Sequence, residues 1–252
     1  MNRTAPDRFT NRWLAFARFA DDGRPNVFCF PFAGGGASFY RAWLPFAPPS
    51  VAICPLQPPG REERFVEKSF DSMETLVRDA AEALLPHLDQ PFALFGHSLG
   101  AMACFELAHA LRERGAPAPV HLFVSGAPAP HLSHLIPSVY ELPDAEFLAA
   151  VQRYGGLPDE VLRSRELLDL LIPRLRVDFK ISGTYRYTQR PSLAIPITAF
   201  AGKDDDVVTP ALVEPWRDHT TATFDSEVFS GGHFFIAQHA REIVLKVARA
   251  LA

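Results

Sequence analysis

The stretch Phe95-Gly96-His97-Ser98-Leu99-Gly100-Ala101 is the part of the chain around which a fold can be built. It follows an apolar run at residues 91–95 and precedes a helical pattern, so it predicts a strand, a sharp turn and a helix. Glycines at 96 and 100 permit the turn, because side chains there would clash with the neighbouring strand and helix. The turn would strain the backbone of Ser98 and lift its Oγ clear of the sheet. The five-residue pattern also arises by chance in loops, so its context has to decide.

Apolar runs alternate with helical patterns along most of the chain. The runs lie at residues 27–30, 51–54, 91–95, 120–125, 195–201 and 228–229, and residues 13–19 are compatible with an edge strand. Helices between strands imply right-handed crossovers and a mostly parallel sheet covered on both faces. From residue 130 to 190 only helical patterns remain. We predict an α/β-hydrolase fold, with the core at 1–129 and 191–252 and an inserted helical lid at 130–190.

Composition narrows the class of protein. The 252 residues are 48% hydrophobic, enough for the core of one domain. Basic and acidic residues are mixed, with a net charge of -4 and no basic tract, which argues against nucleic-acid binding. The three cysteines lie in apolar patterns, as small buried hydrophobes do in a reducing compartment. Because residues 13–20 lack the features of a signal peptide or a membrane span, we expect a cytoplasmic, soluble monomer.

Two later loops complete a catalytic order with Ser98. An acidic loop follows the apolar run at 195–201, and a Gly-Gly-His loop ending at His233 follows the last apolar run. The order Ser, Asp, His is characteristic of α/β-hydrolases. Serine needs His233 to take its proton, and a buried carboxylate must orient that imidazole. We assign Asp205, which fits a Gly-x-x-Asp-x-x-Val pattern, and interpret Asp204 and Asp206 as solvated loop charges.

A glycine-rich loop at residues 31–38 follows the apolar run at 27–30. It completes neither a phosphate-binding loop nor a dinucleotide-binding loop, so we interpret it as part of an oxyanion hole. The remaining histidines receive structural interpretations. His97 belongs to the nucleophile turn, and His131 with His134 offers two metal ligands without a third. No metal or cofactor is predicted.

Several segments together resemble the stand-alone type II thioesterases of polyketide and nonribosomal peptide pathways, a group also similar to the thioesterase II of animal medium-chain fatty acid synthesis. The matching segments are residues 30–35 (FPFAGG), 57–64 (QPPGREER), 95–101 (FGHSLGA), 125–130 (SGAPAP), 175–179 (LRVDF) through Tyr185, and 231–235 (GGHFF). The resemblance implies hydrolysis of acyl groups from the phosphopantetheine thiol of acyl or peptidyl carrier proteins, clearing stalled or mis-primed chains. Ser98 would attack the thioester, and the backbone N–H groups of Leu99 and Ala33 would hold the oxyanion.

Alternatives stay open at this stage. A carboxylesterase or lipase would use the same triad, and a non-catalytic receptor can share the scaffold. Arg61 and Arg64 either dock an acidic carrier protein or pair locally with glutamates of the same loop. The apolar rows of the lid, including Phe147 and Leu171, either line an acyl channel or only pack.

Overall fold

A single parallel sheet organises the computed structural model, which describes residues 11–14, 19–20, 22–157 and 159–252. Its strands are β1 (Asn26–Phe30), β2 (Ala52–Pro55), β3 (Phe92–His97), β4 (His121–Ser125), β5 (Ile197–Gly202) and β6 (Phe224–Phe229). They pair in the order β2-β1-β3-β4-β5-β6, and every pairing is parallel. The predicted parallel α/β sheet is therefore confirmed.

Helices occupy most of the connections between the strands. They are α1 (Ala37–Arg41), α2 (Met73–Leu84), α3 (Leu99–Glu113), α4 (Asp144–Tyr154), α5 (Asp159–Arg163), α6 (Arg165–Thr184), α7 (Pro210–Val213), α8 (Phe235–Gln238) and α9 (Ala240–Ala250). Short 3-10 helices lie at Arg12–Leu14, Leu44–Phe46, Glu62–Arg64, Leu85–His87, Pro130–Leu135 and Glu214–His219. The first replaces the start of the predicted edge strand, whose residues 15–18 lie outside the described residues.

Both faces of the sheet are covered, because alternate side chains of each strand enter different cores. Phe28 and Phe30 of β1 belong to a cluster that includes α2 and α3. Val27 and Cys29 belong to a second cluster that includes α1 and α9. Strands buried on both faces have continuous apolar sequences, which is why β1 and β3 were recognisable.

Helix α2 begins after Ser72, whose side chain accepts a hydrogen bond from the backbone N–H of Thr75 and so caps the helix. Helix α1 begins at Ala37 and has no side-chain cap.

The segment between β4 and β5 is helical. Helix α4 packs on α6 through a separate apolar cluster centred on Phe147, Val151, Ile172 and Leu175. Pro173 lies inside α6, and the helix continues across it although the missing N–H removes one backbone hydrogen bond. Within the described ranges, no helix combines the length and apolarity that crossing a bilayer requires.

The strand order reverses between β1 and β3. The chain leaves β1 for β2 on one side and returns to place β3 on the other side of β1. At such a point the loops that follow the two strands diverge and open a crevice at the carboxyl edge of the sheet. The glycine-rich loop follows β1 and Ser98 follows β3, so both lie at this crevice.

Candidate active site

Ser98 occupies a strained turn between β3 and α3. Its backbone angles are φ 55° and ψ -121°, in a region that residues with a Cβ rarely adopt. A Cβ on Gly96 would lie 2.1 Å from the carbonyl oxygen of Gly100, and one on Gly100 would lie 2.3 Å from that of Phe30. Both neighbours are backbone atoms and cannot turn aside. The two glycines therefore permit the close approach of strand and helix that exposes Ser98.

His233 and Asp205 form a buried pair. The Nδ1 of His233 lies 2.6 Å from Oδ2 of Asp205, and both side chains are almost fully buried. The other carboxylate oxygen, Oδ1, accepts hydrogen bonds from the backbone N–H groups of Val207 and Val208. These bonds fix the carboxylate, which in turn holds the imidazole with Nδ1 directed away from the cavity.

The neighbouring aspartates have other partners. Asp204 accepts a hydrogen bond from the backbone N–H of Gly231, and Asp206 forms an exposed ion pair with Arg153. Among the three acidic residues of this loop, only Asp205 contacts His233 in the described structure.

Ser98 lies between two cavities. The larger one has a volume of 290 Å³, and the smaller one, of 30 Å³, is lined by both Ser98 and His233. The structure thus brings Ser98, His233 and Asp205 together from three separate loops. Residues of the 130–190 segment line both cavities, and those that line the larger one are Ser133, His134, Ile136, Pro137, Ser138, Val139, Tyr154, Phe179, Ser182, Gly183, Tyr185 and Arg186.

The predicted oxyanion groups lie beside the same serine. Leu99 is the first residue of α3, where a backbone N–H has no acceptor within the helix. Ala33, in the loop after β1, lines both cavities together with Ser98. Ala33 and Leu99 therefore lie close to Ser98, although they belong to different segments of the chain.

Aromatic rings enclose His233. The rings of Tyr154 and His97 each have their centroid 4.9 Å from that of His233, and Phe234 lies 5.4 Å away. Burial, and then the charge of Asp205, raises the pKa of Tyr154 to about 12, so this phenol stays protonated. Nothing in the sequence around Tyr154 indicates its contact with His233.

His97 is buried and neutral. Its Nδ1 lies 2.9 Å from Oγ of Ser125, and burial, followed by the neighbouring His233, holds its pKa well below the usual value. His131, which also received a structural interpretation, lies 2.8 Å from His219, ring nitrogen to ring nitrogen. His134, in contrast, lines the larger cavity, which sequence reasoning missed.

At two places where the sequence left alternatives open, the contacts favour the structural one. Arg64 forms the local pair with Glu67, whereas Arg61 pairs with buried Asp178 of α6 and not with a glutamate of its own loop. Phe147 is fully buried between α4 and α6, and neither it nor Leu171 lines the two cavities beside Ser98. Each helix does have an apolar face, but at these positions another helix covers it.

Known proteins resemble this chain in sequence and in fold. The thioesterase domain family matches residues 25–251. The linear gramicidin dehydrogenase LgrE of Brevibacillus parabrevis is 40% identical over 237 residues, which cover 93% of this chain and 90% of that protein. The gramicidin S biosynthesis protein GrsT of Aneurinibacillus migulanus is 38% identical, covering 93% and 91%. The solved structure of the type II thioesterase BorB from the borrelidin biosynthetic cluster superposes with a TM-score of 0.84 at 35% identity, covering 93% and 96%.

One of these names denotes a dehydrogenase, but the loop after β1 of this chain lacks the Gly-x-Gly-x-x-Gly spacing of a dinucleotide site. The family match and the superposition instead agree with the geometry around Ser98. The chain belongs to the thioesterase family and is an enzyme of the serine-hydrolase type, grouping with the type II thioesterases of nonribosomal peptide and polyketide biosynthesis.

Proposed function

We propose that the enzyme hydrolyses acyl groups from the phosphopantetheine thiol of acyl or peptidyl carrier proteins through a Ser98-His233-Asp205 triad. Ser98 Oγ attacks the thioester carbonyl while Nε2 of His233 takes its proton. The backbone N–H groups of Leu99 and Ala33 hold the oxyanion, and the thiol leaves with the proton from His233. His233 then activates a water that releases the acid and frees Ser98.

One observation carries this proposal. Ser98 lies between two cavities, and the His233–Asp205 pair borders one of them. The base lies on one side of the nucleophile and the larger cavity on the other. An acyl chain can therefore lie in that cavity while the nucleophile attacks its carbonyl group. The carboxylate that orients the base is buried and accepts three hydrogen bonds, which hold it in place beside the imidazole.

We further propose that residues 130–190 act as a lid over the acyl chamber. This segment supplies much of the lining of the 290 Å³ cavity. We therefore expect the rate of hydrolysis to fall once an acyl chain outgrows this cavity and the lid has to shift.

The carrier protein is proposed to dock near Arg186. This side chain is exposed, lines the larger cavity and donates hydrogen bonds to the carbonyls of Gly183 and Tyr185. An arginine at this rim suits an acidic partner better than Arg61 or Arg64, which are paired internally. Arg186→Ala should raise KM for acyl-carrier substrates in a salt-sensitive way and spare acyl-N-acetylcysteamine thioesters.

The triad is tested by four variants assayed on one acyl-carrier thioester. Ser98→Ala should abolish turnover, and Asp205→Asn should lose on the order of 10^4 in rate because the imidazole is no longer held and stabilised. Asp204→Asn and Asp206→Asn are matched controls and should change the rate only mildly. A crippled Asp204→Asn enzyme with an active Asp205→Asn enzyme would contradict the assignment.

The substrate class is tested by comparing carrier-bound thioesters with oxygen esters of the same acyl group. A thioesterase of the proposed kind should show the higher kcat/KM on the carrier-bound thioester. A preference for the oxygen ester would favour the carboxylesterase or lipase alternative. The cytoplasmic location and the monomeric state remain predictions.

A further inference from the structure

The loop at residues 57–62 holds the glycine-rich loop from one side. The fully buried side chain of Gln57 accepts a hydrogen bond from the backbone N–H of Ala37, at 2.8 Å, and donates one to the carbonyl of Arg61. The carboxylate of Glu62 accepts bonds from both the backbone N–H and the hydroxyl of Ser38. The far end of the glycine-rich loop is therefore fixed by side chains of this neighbouring loop.

The near end is held from α6. The backbone N–H of Gly34 donates to Oδ2 of Asp178, at 2.7 Å, and Nη2 of Arg61 donates to Oδ1 of the same carboxylate, at 2.8 Å. The Nη1 of Arg61 donates to the carbonyl of Gly35, at 3.0 Å. Gly34 also lies against α6 so closely that a Cβ there would be 2.4 Å from Cδ2 of Leu175.

These contacts bear on Ala33, whose backbone N–H is assigned to the oxyanion. The Gly34 N–H lies in the peptide plane that begins at the Cα of Ala33, so the Gly34–Asp178 hydrogen bond fixes this plane. The Ala33 N–H lies in the preceding plane, which meets the fixed one at the Cα of Ala33, so the bond limits where that N–H can lie. The Asp178 side chain is 3% exposed, so this bond is not exchanged for one with bulk water. Arg61 neutralises the buried carboxylate, which would otherwise place an unpaired negative charge near a developing oxyanion.

We propose that Asp178 and Arg61 are positioning residues that hold the Ala33 half of the oxyanion hole from helix α6. This inference rests on the proposed function, because it takes the Ala33 N–H as an oxyanion donor. Because Asp178 belongs to the segment that covers the cavity, the hole is complete only while α6 is seated on the glycine-rich loop. The Asp178 carboxylate thereby couples two events: the covering of the substrate by this segment and the completion of the oxyanion hole.

Two substitutions separate the parts of this contact. Asp178→Ala removes both hydrogen bonds, and we expect the rate of Ser98 labelling by a fluorophosphonate to fall on the order of 10²-fold, as when an oxyanion donor is lost. Asp178→Asn keeps one acceptor for Gly34 but turns an NH2 group toward Arg61, so its loss should be smaller. On a small acyl-N-acetylcysteamine thioester, kcat should fall with little change in KM, because the ground state does not use the hole.

A matched control removes another ion pair of the same helical segment. Asp144 pairs with Arg176 of α6, and neither residue contacts the glycine-rich loop. Asp144→Ala should leave the labelling rate unchanged, and circular dichroism and melting temperature identify the folded fraction of every variant.

Folded Asp178→Ala protein that labels at the wild-type rate would overturn the inference, as would equal losses in the Asp144→Ala control. The labelling assay needs no carrier protein, so the two proposals fail separately. Wild-type protein that labels but does not hydrolyse carrier thioesters would contradict only the carrier substrate. Wild-type protein whose Ser98 never labels would overturn both proposals.

Discussion

Replacing Ser98 by glycine should leave the fold more stable than replacing it by alanine. The backbone of Ser98 has φ 55° and ψ -121°, a conformation that any Cβ makes strained. Alanine keeps the Cβ and therefore the strain, whereas glycine adopts these angles readily. Neither variant has a nucleophile, so the comparison isolates the backbone from the chemistry.

The expected difference is small but measurable. Strain at such a residue costs about 1–3 kcal/mol. Glycine also gives the unfolded chain more conformational freedom. This lowers the unfolding free energy by roughly 0.5–1 kcal/mol and offsets part of the gain from removing the strain. The net gain of Ser98→Gly over Ser98→Ala should therefore be about 1 kcal/mol, or about 2–4 °C in melting temperature for a chain of this size.

Urea unfolding followed by circular dichroism measures this difference, provided that both variants unfold in one cooperative transition. Ala149→Gly is the matched control, since Ala149 is exposed in the middle of α4 and has no strain to relieve. That control should lose about 0.5–1 kcal/mol. If Ser98→Gly were less stable than Ser98→Ala by a similar amount, the strained turn would not be a property of the folded protein.

Substitutions of apolar residues in the 130–190 segment should have different effects, depending on whether the residue packs against another helix or lines the cavity beside Ser98. Phe147→Ala, in the packing between α4 and α6, should cost about 3–5 kcal/mol of unfolding free energy, without changing the acyl-length profile. Phe179→Ala, which enlarges the cavity beside Ser98, should favour longer acyl chains in a hydrolysis series; an unchanged profile would remove Phe179 from the acyl chamber. Burial is the main reason that the pKa values are lowered to about 4 for His121 and His219 and to about 3 for His109. Below about pH 6.5 the unfolded chain therefore binds more protons than the folded one, and the unfolding free energy should fall as the pH drops toward 4. His219→Gln should make that fall shallower in urea titrations at successive pH values, and an identical slope would contradict the linkage.

The sheet was largely predictable because its central strands are buried on both faces. Such strands have unbroken apolar sequences, as in β1 and β3, and each run stands out from its flanks. The edge strand β6 spans Phe224–Phe229 and is mostly exposed or half-buried. Its interior is Asp-Ser-Glu, so only its last two residues appeared as an apolar run.

The candidate triad could be predicted from the sequence because of the topology of the sheet. In a parallel sheet the loops after the strands gather at one edge, so Ser98, Asp205 and His233 need only follow strands to meet. The contact between Arg61 and Asp178 has no such signal, because the two residues are 117 positions apart and nothing in the segment around either one identifies the other as its partner. An amphipathic period likewise indicates that Phe147 is buried without indicating whether a helix or a cavity covers it.

The long helical connection between β4 and β5 leaves room for change in length. Residues 126–196 join two strands that are neighbours in the sheet, so their pairing must close this whole loop. The entropy of closure grows slowly, by about 0.6 kcal/mol for each doubling of loop length. Insertions or deletions far from Asp178 should thus scarcely affect the pairing of β4 with β5, whereas a change of length at residues 57–62 should displace the side chains that hold the glycine-rich loop. A library that varies the length of the first helices of this segment should therefore yield folded enzymes with altered acyl chambers.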